Sequence, residues 1–193
     1  MMSLQERQDS YNDTYGTKYP GSRLSLVNNM LSGTWMLGND YKGSGFYGAY
    51  PPNYLKRMET LFLDITSKNK IMHLFSGSLP KGNYIRVDSN SKLKPDFVCN
   101  AEKLSNKFAQ QFSLIYSDPP YTTTDALRYG TPMPNRKKVL EQCSKVLVSG
   151  GFVVWLDTVW PMVAKKHLLL VGAIGILRSQ NHRVRFAFIM KKQ

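Results

Sequence analysis

The chain has 193 residues, 42% of them apolar, enough for one domain with its own core. Lys and Arg number 26 against 13 Asp and Glu, and the formal charge of +13 favours a polyanionic partner, most simply nucleic acid. The two cysteines, Cys99 and Cys143, sit in apolar stretches and suit free thiols; with His73, His167 and His182 they make no metal-ligand spacing, so no metal is expected. With no run of about 18 apolar residues and no signal peptide, no membrane span and a cytoplasmic location are expected.

Residues 1–21 are polar and read as a loose arm or surface wrap. Ser22 to Leu31 spaces Leu26, Val27, Met30 and Leu31 as one side of a short helix. A glycine-rich and aromatic stretch follows, Gly33 to Tyr50. In it Trp35, Tyr41, Phe46, Tyr47 and Tyr50 suit either stacking on bases or plugging the core edge. Pro51-Pro52 open a helix to about Leu63, with Leu55, Met58, Leu61 and Phe62 on its apolar face. Four strands are then expected: Lys70 to Phe75 ending in the Gly77 turn, Tyr84 to Asp88, Asp96 to Asn100, and Phe112 to Tyr116. Pro134 to Leu147 is a helix whose apolar face is Val139, Leu140, Cys143, Val146 and Leu147. Phe152 to Leu156 is a fifth strand, a short helix is expected after Pro161, and Leu168 to Leu177 and Val184 to Met190 close the sheet as a hairpin. The chain divides into a segment 1–69 that packs on a core 70–193, the two forming a single compact domain.

The stretch Phe112 to Tyr121 stands out chemically. An apolar strand stops at Asp118-Pro119-Pro120-Tyr121, because two prolines lack the N–H donors a central strand needs. A rigid loop is left at the strand's C-terminal edge, where open α/β sheets bind ligands. A carboxylate that only accepts hydrogen bonds, proline carbonyls and a flat phenol suit a planar amino group on an aromatic ring. Acceptors that hold both hydrogens leave the nitrogen lone pair facing an electrophile. The tetrapeptide also suits a proline-kinked turn with no chemistry, the less favoured of the two readings.

Asp-Pro-Pro-Tyr after an apolar strand resembles the catalytic motif of amino-methyltransferases that use S-adenosylmethionine (SAM). Other pieces of that family's pattern follow in order. Phe75-Ser76-Gly77 resembles its Phe-x-Gly turn, Asp88 its ribose-binding acid, Asn100-Ala101 its adenine-contacting site, and Gly150-Gly151-Phe152 the glycine pair before its fifth strand. The resemblance covers Lys70 to the C-terminus. It implies a Rossmann-like class I methyltransferase sheet, mostly parallel with an antiparallel last strand. It also implies SAM as cofactor, held by His73, Phe75, Ser76, Gly77, Asp88, Asn100, Ala101 and Asp118, and catalysis by Asp118, Pro119, Pro120 and Tyr121. Asp88 also suits a turn cap with Asn90, and Asn100 a helix cap.

Two departures accompany the likeness. His73 stands where the family carries an acid, and it also suits a core-edge histidine. Eight residues separate Phe75 from Tyr84, fewer than the dozen or so of a helical crossover. The first crossover helices are therefore expected to be shortened or absent, with one sheet face covered by the helices at 22–31 and 52–63, by a second copy of the chain or by a partner subunit. The expected acceptor is an exocyclic amine of a nucleic-acid base, adenine N6 in DNA first, an RNA amine as the alternative, and an inactive methyltransferase-like binding module as the third reading. Arg128, Arg136, Lys137, Lys138, Arg178, Arg183 and Arg185 are the expected phosphate contacts. No separate segment that reads DNA sequence is expected within these residues.

Overall fold

The computed structural model describes residues 1–38, 50–67, 70–178 and 181–193, the last segment without the side chains of 181–183. The readings on Tyr41, Phe46, Tyr47, His182 and the Arg183 side chain lie outside the described residues.

Nine strands form one sheet among the described residues. In chain order they are β1 Leu24–Val27, β2 Met30–Leu37, β3 Ile71–Leu74, β4 Ile85–Asp88, β5 Phe97–Val98, β6 Phe112–Ser117, β7 Leu147–Asp157, β8 Leu169–Arg178 and β9 Asn181–Lys191. Their order across the sheet is β1-β2-β8-β9-β7-β6-β3-β4-β5. The run from β5 to β7 is parallel throughout, and β9 lies antiparallel between β7 and β8. The chain passes outward from β3 through β4 to β5, then returns to β6 on the other side of β3. That reversal leaves a crevice at the C-terminal ends of β3 and β6, where ligands bind in open α/β sheets.

Ser22 to Leu31 is not a helix. It is a hairpin, β1 and β2, turning at Asn28-Asn29 with φ of 52° and 58°. Two consecutive left-handed residues make the tight turn that matches strand twist, and asparagine tolerates that conformation better than most residues. The pairing of Leu26 with Leu31 and of Val27 with Met30 explains the misleading spacing. β2 then adds in parallel to β8, extending the sheet past its hairpin.

Residues 1–21 are ordered rather than loose. Helix α1, Leu4–Tyr11, starts with a capping box. Ser3 Oγ accepts from the Glu6 N–H at 3.2 Å, and Glu6 Oε2 accepts from the Ser3 N–H at 2.7 Å. Arg7 is fully buried, donating to the Leu61 carbonyl and to both oxygens of Asp64. Its guanidinium also sits 4.9 Å from the ring centres of Phe62 and Phe152.

The two sheet faces have separate covers. One carries Leu114, Tyr116, Phe152, Val154 and Leu156 and is packed by α1 and by helix α2, Tyr54–Leu61, through Tyr11, Tyr54, Met58, Leu61 and Phe62. The other carries Met72, Leu74, Val87, Ile115, Val153 and Trp155. It is packed by helix α4, Arg136–Val146, which follows the short helix α3, Thr123–Arg128, and by a 3-10 segment, Ala101–Asn106. The β3–β4 link holds no helix, and the β4–β5 link holds only the single 3-10 turn Ser91–Leu93. The N-terminal segment therefore supplies the cover that crossover helices would have given. No helix forms after Pro161; residues 161–168 are a loop with one turn.

Candidate active site

Each strand end at the crevice places one polar group. β3 stops at Leu74, and the chain reverses through Phe75 and Gly77, whose φ values are 57° and 52°. Glycine adopts that conformation at no steric cost, and Phe75 holds it inside the turn. The turn aims the Gly77 N–H at Asp88, which ends β4 and accepts it on Oδ2 at 2.9 Å. The other carboxylate oxygen accepts from the Asn90 N–H at 2.9 Å. Asp88 is thus a turn cap, yet each oxygen keeps a lone pair for a ligand hydroxyl. Asn100 caps the next segment, accepting the Glu102 N–H at 2.8 Å, so its amide NH₂ is the group left to face a ligand.

These residues surround a cavity of about 310 Å³. Phe75, Gly77, Asp88, Asn100, Ala101, Asp118 and Pro120 line it, so the structure brings together both ends of the constellation expected from sequence. Leu74, Val87, Leu93 and Cys99 add apolar wall, and Arg128 and Tyr129 close one side. The wall residues were missed in sequence, although each lies within a few positions of a residue that was found. The volume is at the low end of the roughly 300–1,000 Å³ usual for small-molecule pockets.

Four expected cofactor or catalytic residues, His73, Ser76, Pro119 and Tyr121, stand outside that lining. His73 faces the opposite side of the sheet. It is buried against the rings of Tyr84 (4.4 Å) and Tyr116 (4.9 Å), with Nδ1 3.2 Å from the Tyr50 hydroxyl. Alternation along β3 dictates this, since neighbouring Met72 and Leu74 point to the cavity side. Burial pushes the imidazole down to about 3, so it is neutral at ordinary pH. Ser76 is buried and outside the cavity lining, as is Pro119.

Asp118 leaves the sheet one residue past β6. Enclosure raises its carboxyl to about 7, although the Tyr121 hydrogen bond and nearby Arg185 both pull it down. The Tyr121 hydroxyl donates to Asp118 Oδ1 at 2.5 Å. One face of the Tyr121 ring, expected to be open for stacking, carries the Arg185 guanidinium at 5.2 Å. Arg185, on β9, thus belongs to this site rather than to a distant phosphate patch.

Arg136 is likewise committed. It starts α4 and donates from Nε to Asp157 Oδ2 at 2.7 Å and from an Nη to the Tyr121 carbonyl at 2.8 Å. Asp157 ends β7, is fully buried, and also accepts from the Trp155 indole at 3.1 Å. Sequence reasoning missed Asp157, though an acid at the end of the strand next to β6 repeats the placement of Asp118. Lys138 pairs with Glu102 at 3.2 Å, Lys137 is exposed, and Arg178 is half-buried at the end of β8. Among the described residues no group of three or more His, Cys, Asp or Glu could hold a metal ion.

The mixed sheet, with its switch point at β3 and β9 antiparallel between β7 and β8, is Rossmann-like, of class I. TrmN from Thermus thermophilus superposes with a TM-score of 0.55 at 14% identity, over 75% of this chain and 49% of TrmN. The chain thus spans about half of TrmN's length. An rRNA methylase from Streptococcus thermophilus aligns at 0.40 with 12% identity, over 67% of this chain and 90% of that one. A geranyl diphosphate C-methyltransferase from Streptomyces coelicolor A3(2), solved with Mg²⁺, geranyl diphosphate and S-adenosyl-L-homocysteine, aligns at 0.42 with 10% identity over 99% of both chains. No protein-family model and no curated protein sequence matches the chain. No helix among the described residues is long and apolar enough to cross a membrane.

Proposed function

We propose that the protein is a SAM-dependent N-methyltransferase acting on an exocyclic amino group of a nucleic-acid base, adenine N6 in DNA. The observation that carries the reading is the shared cavity. Asp118, with a carboxyl at about 7, borders the same space as Gly77, Asp88 and Asn100. The residues fit the cofactor. Asp88 has spare lone pairs for two ribose hydroxyls, Leu93, Cys99 and Ala101 offer an apolar slot for adenine, and the Gly77 turn admits close backbone approach. When bound there, SAM supplies an electrophilic methyl group on a sulfonium.

The chain's own residues do the rest. Asp118 accepts an amine hydrogen and holds the nitrogen lone pair toward the cavity, which Pro120 also lines. An amine nitrogen that took that methyl group would have one proton to lose. The Asp118 carboxylate is placed to take it, and a value near 7 suits a base working at neutral pH. Arg136 fixes the motif by holding the Tyr121 carbonyl. Positioning rather than covalent catalysis supplies the rate. The Asp form of the motif and the charge of +13 support a base amine in DNA. A base in a duplex must be flipped out, which costs least in an unpaired strand.

Incubating the protein and SAM with DNA and with RNA, then analysing nucleosides by mass spectrometry, tests the reading. N6-methyladenine in the DNA is expected. Methylation confined to RNA shifts the acceptor; no methylated nucleoside from a protein that binds SAM overturns the activity. Asp118→Ala is expected to keep SAM binding by calorimetry and to lose transfer by roughly 10²-fold or more.

A further inference from the structure

The link from β7 to β8, residues 158–168, carries no helix, and α4 packs against β3, β6 and β7. The face of β9 on that side is covered by the link itself, with Leu168 and Val163 packed beside Phe188 and Met190, and two rings stay exposed at its margin. Phe186 and Phe188 stack with centroids 5.7 Å apart, and Trp160 lies 6.1 Å from Phe188, tilted by 30°. Phe188 is buried between its neighbours, while Trp160 is 60% and Phe186 38% exposed. Val159, Met162 and Val184 are exposed beside them.

This surface is wired to the catalytic loop. Asp157 Oδ1 accepts the N–H groups of Thr158 and Val159, just before Trp160. The same carboxylate holds Arg136, which holds the Tyr121 carbonyl. On the β9 side, Arg185 precedes Phe186 and covers the Tyr121 ring. The chemistry of the segment is one-sided. Residues 158–193 contain seven Lys and Arg and no Asp or Glu, in a chain that has 13 acids. A second copy docking through the same face would bring two acid-free surfaces together, which like charge opposes. Exposed rings, with the exposed Lys165 and Lys166 on the same link as Trp160, match a strand whose bases stack and whose phosphates are anionic.

We propose that Trp160 and Phe186, backed by the buried Phe188, form a stacking platform for an unpaired DNA strand flanking the base presented to Asp118. The proposal rests on the acceptor reading above and adds to it where the neighbouring nucleotides lie.

Oligothymidylate is the probe, because thymine has no exocyclic amine and its binding does not depend on methyl transfer. Trp35 and Trp155 are fully buried, so quenching of exposed indole emission reports Trp160. Oligothymidylate is expected to quench that emission and to bind less tightly as salt rises. Trp160→Ala should weaken binding roughly 5- to 150-fold, the range set by about 1–3 kcal/mol per stacked base. Phe186→Ser should weaken it as well, and Trp160→Phe should restore most of the loss. Wild-type affinity in both Trp160→Ala and Phe186→Ser overturns the platform, as does quenching that follows protein concentration without oligonucleotide and marks self-association. Quenching by RNA alone overturns the choice of DNA. If oligothymidylate binds through these rings but no nucleoside is methylated, the platform stands and the enzymatic reading falls. If DNA is methylated with unchanged KM in Trp160→Ala, the reverse holds.

Discussion

Asp118 and His73 are moved in opposite senses by one cause, their enclosure beside the central strands. For Asp118, raised to about 7, the folded protein keeps a proton that the unfolded chain loses near pH 4. Its contribution to stability therefore falls as pH rises from about 4 to 7. Asp118→Asn should be more stable than the native protein above pH 7 and lose that advantage near pH 4, read from urea unfolding at several pH values. The same carboxyl should set the rate. kcat/KM is expected to rise through pH 7 as it ionises, and a flat profile would remove Asp118 as the proton acceptor. For His73, lowered to about 3, the unfolded chain binds the extra proton. Its contribution is present above pH 6.5 and lost as pH falls toward 3. His73→Phe should flatten that acid-side loss, seen as a smaller drop in Tm between pH 7 and pH 4. Sequence showed Asp118 because a Pro-Pro break is local. It could not show which face His73 takes, since a shift of one position along a strand reverses the side.

The elements that depend on neighbouring residues were the most readable. α2, α4 and the parallel strands follow from spacing and proline breaks and lie within a few residues of expectation. The failures came where two spacings compete. Leu26, Val27, Met30 and Leu31 suit one helical side, and they equally suit two strands folded at Asn28-Asn29. The asparagine pair was the deciding signal. Asn29, at φ 58°, should tolerate glycine without loss, whereas Asn29→Val should cost about 1–2 kcal/mol in urea unfolding. The capping box at Ser3 and Glu6 was a similar overlooked signal for α1. Arg7 binds that helix to the chain after α2, with Asp64 as its carboxylate partner. Asp64→Asn leaves a buried cation and should cost roughly 3 kcal/mol or more.

Across the whole molecule, the N-terminal segment completes the fold rather than decorating it. α1 and α2 bury the sheet face that the short β3–β4 and β4–β5 links leave bare, and β2 extends the sheet beside β8. Removing residues 1–23 would expose the apolar side of β6 and β7. The truncated chain is expected to bind ANS and aggregate, whereas a well-folded truncation would show that the segment is dispensable. A charge of +13 further implies that affinity for any nucleic acid falls with added salt, measurable as the slope of log Kd against log salt.

Short motifs, singled out by their resemblance to those of amino-methyltransferases, carried the order of the chemical groups: a glycine turn, an acid, an asparagine and Asp-Pro-Pro-Tyr, each at a strand end. Those features need only local backbone rules. Tertiary structure decided the partners: Arg136 with Asp157, Arg185 over Tyr121, the N-terminal helices on the bare face, and Trp160 and Phe186 left exposed around the buried Phe188. Such pairings join surfaces distant along the chain, and shape and charge complementarity, not residue spacing, select them.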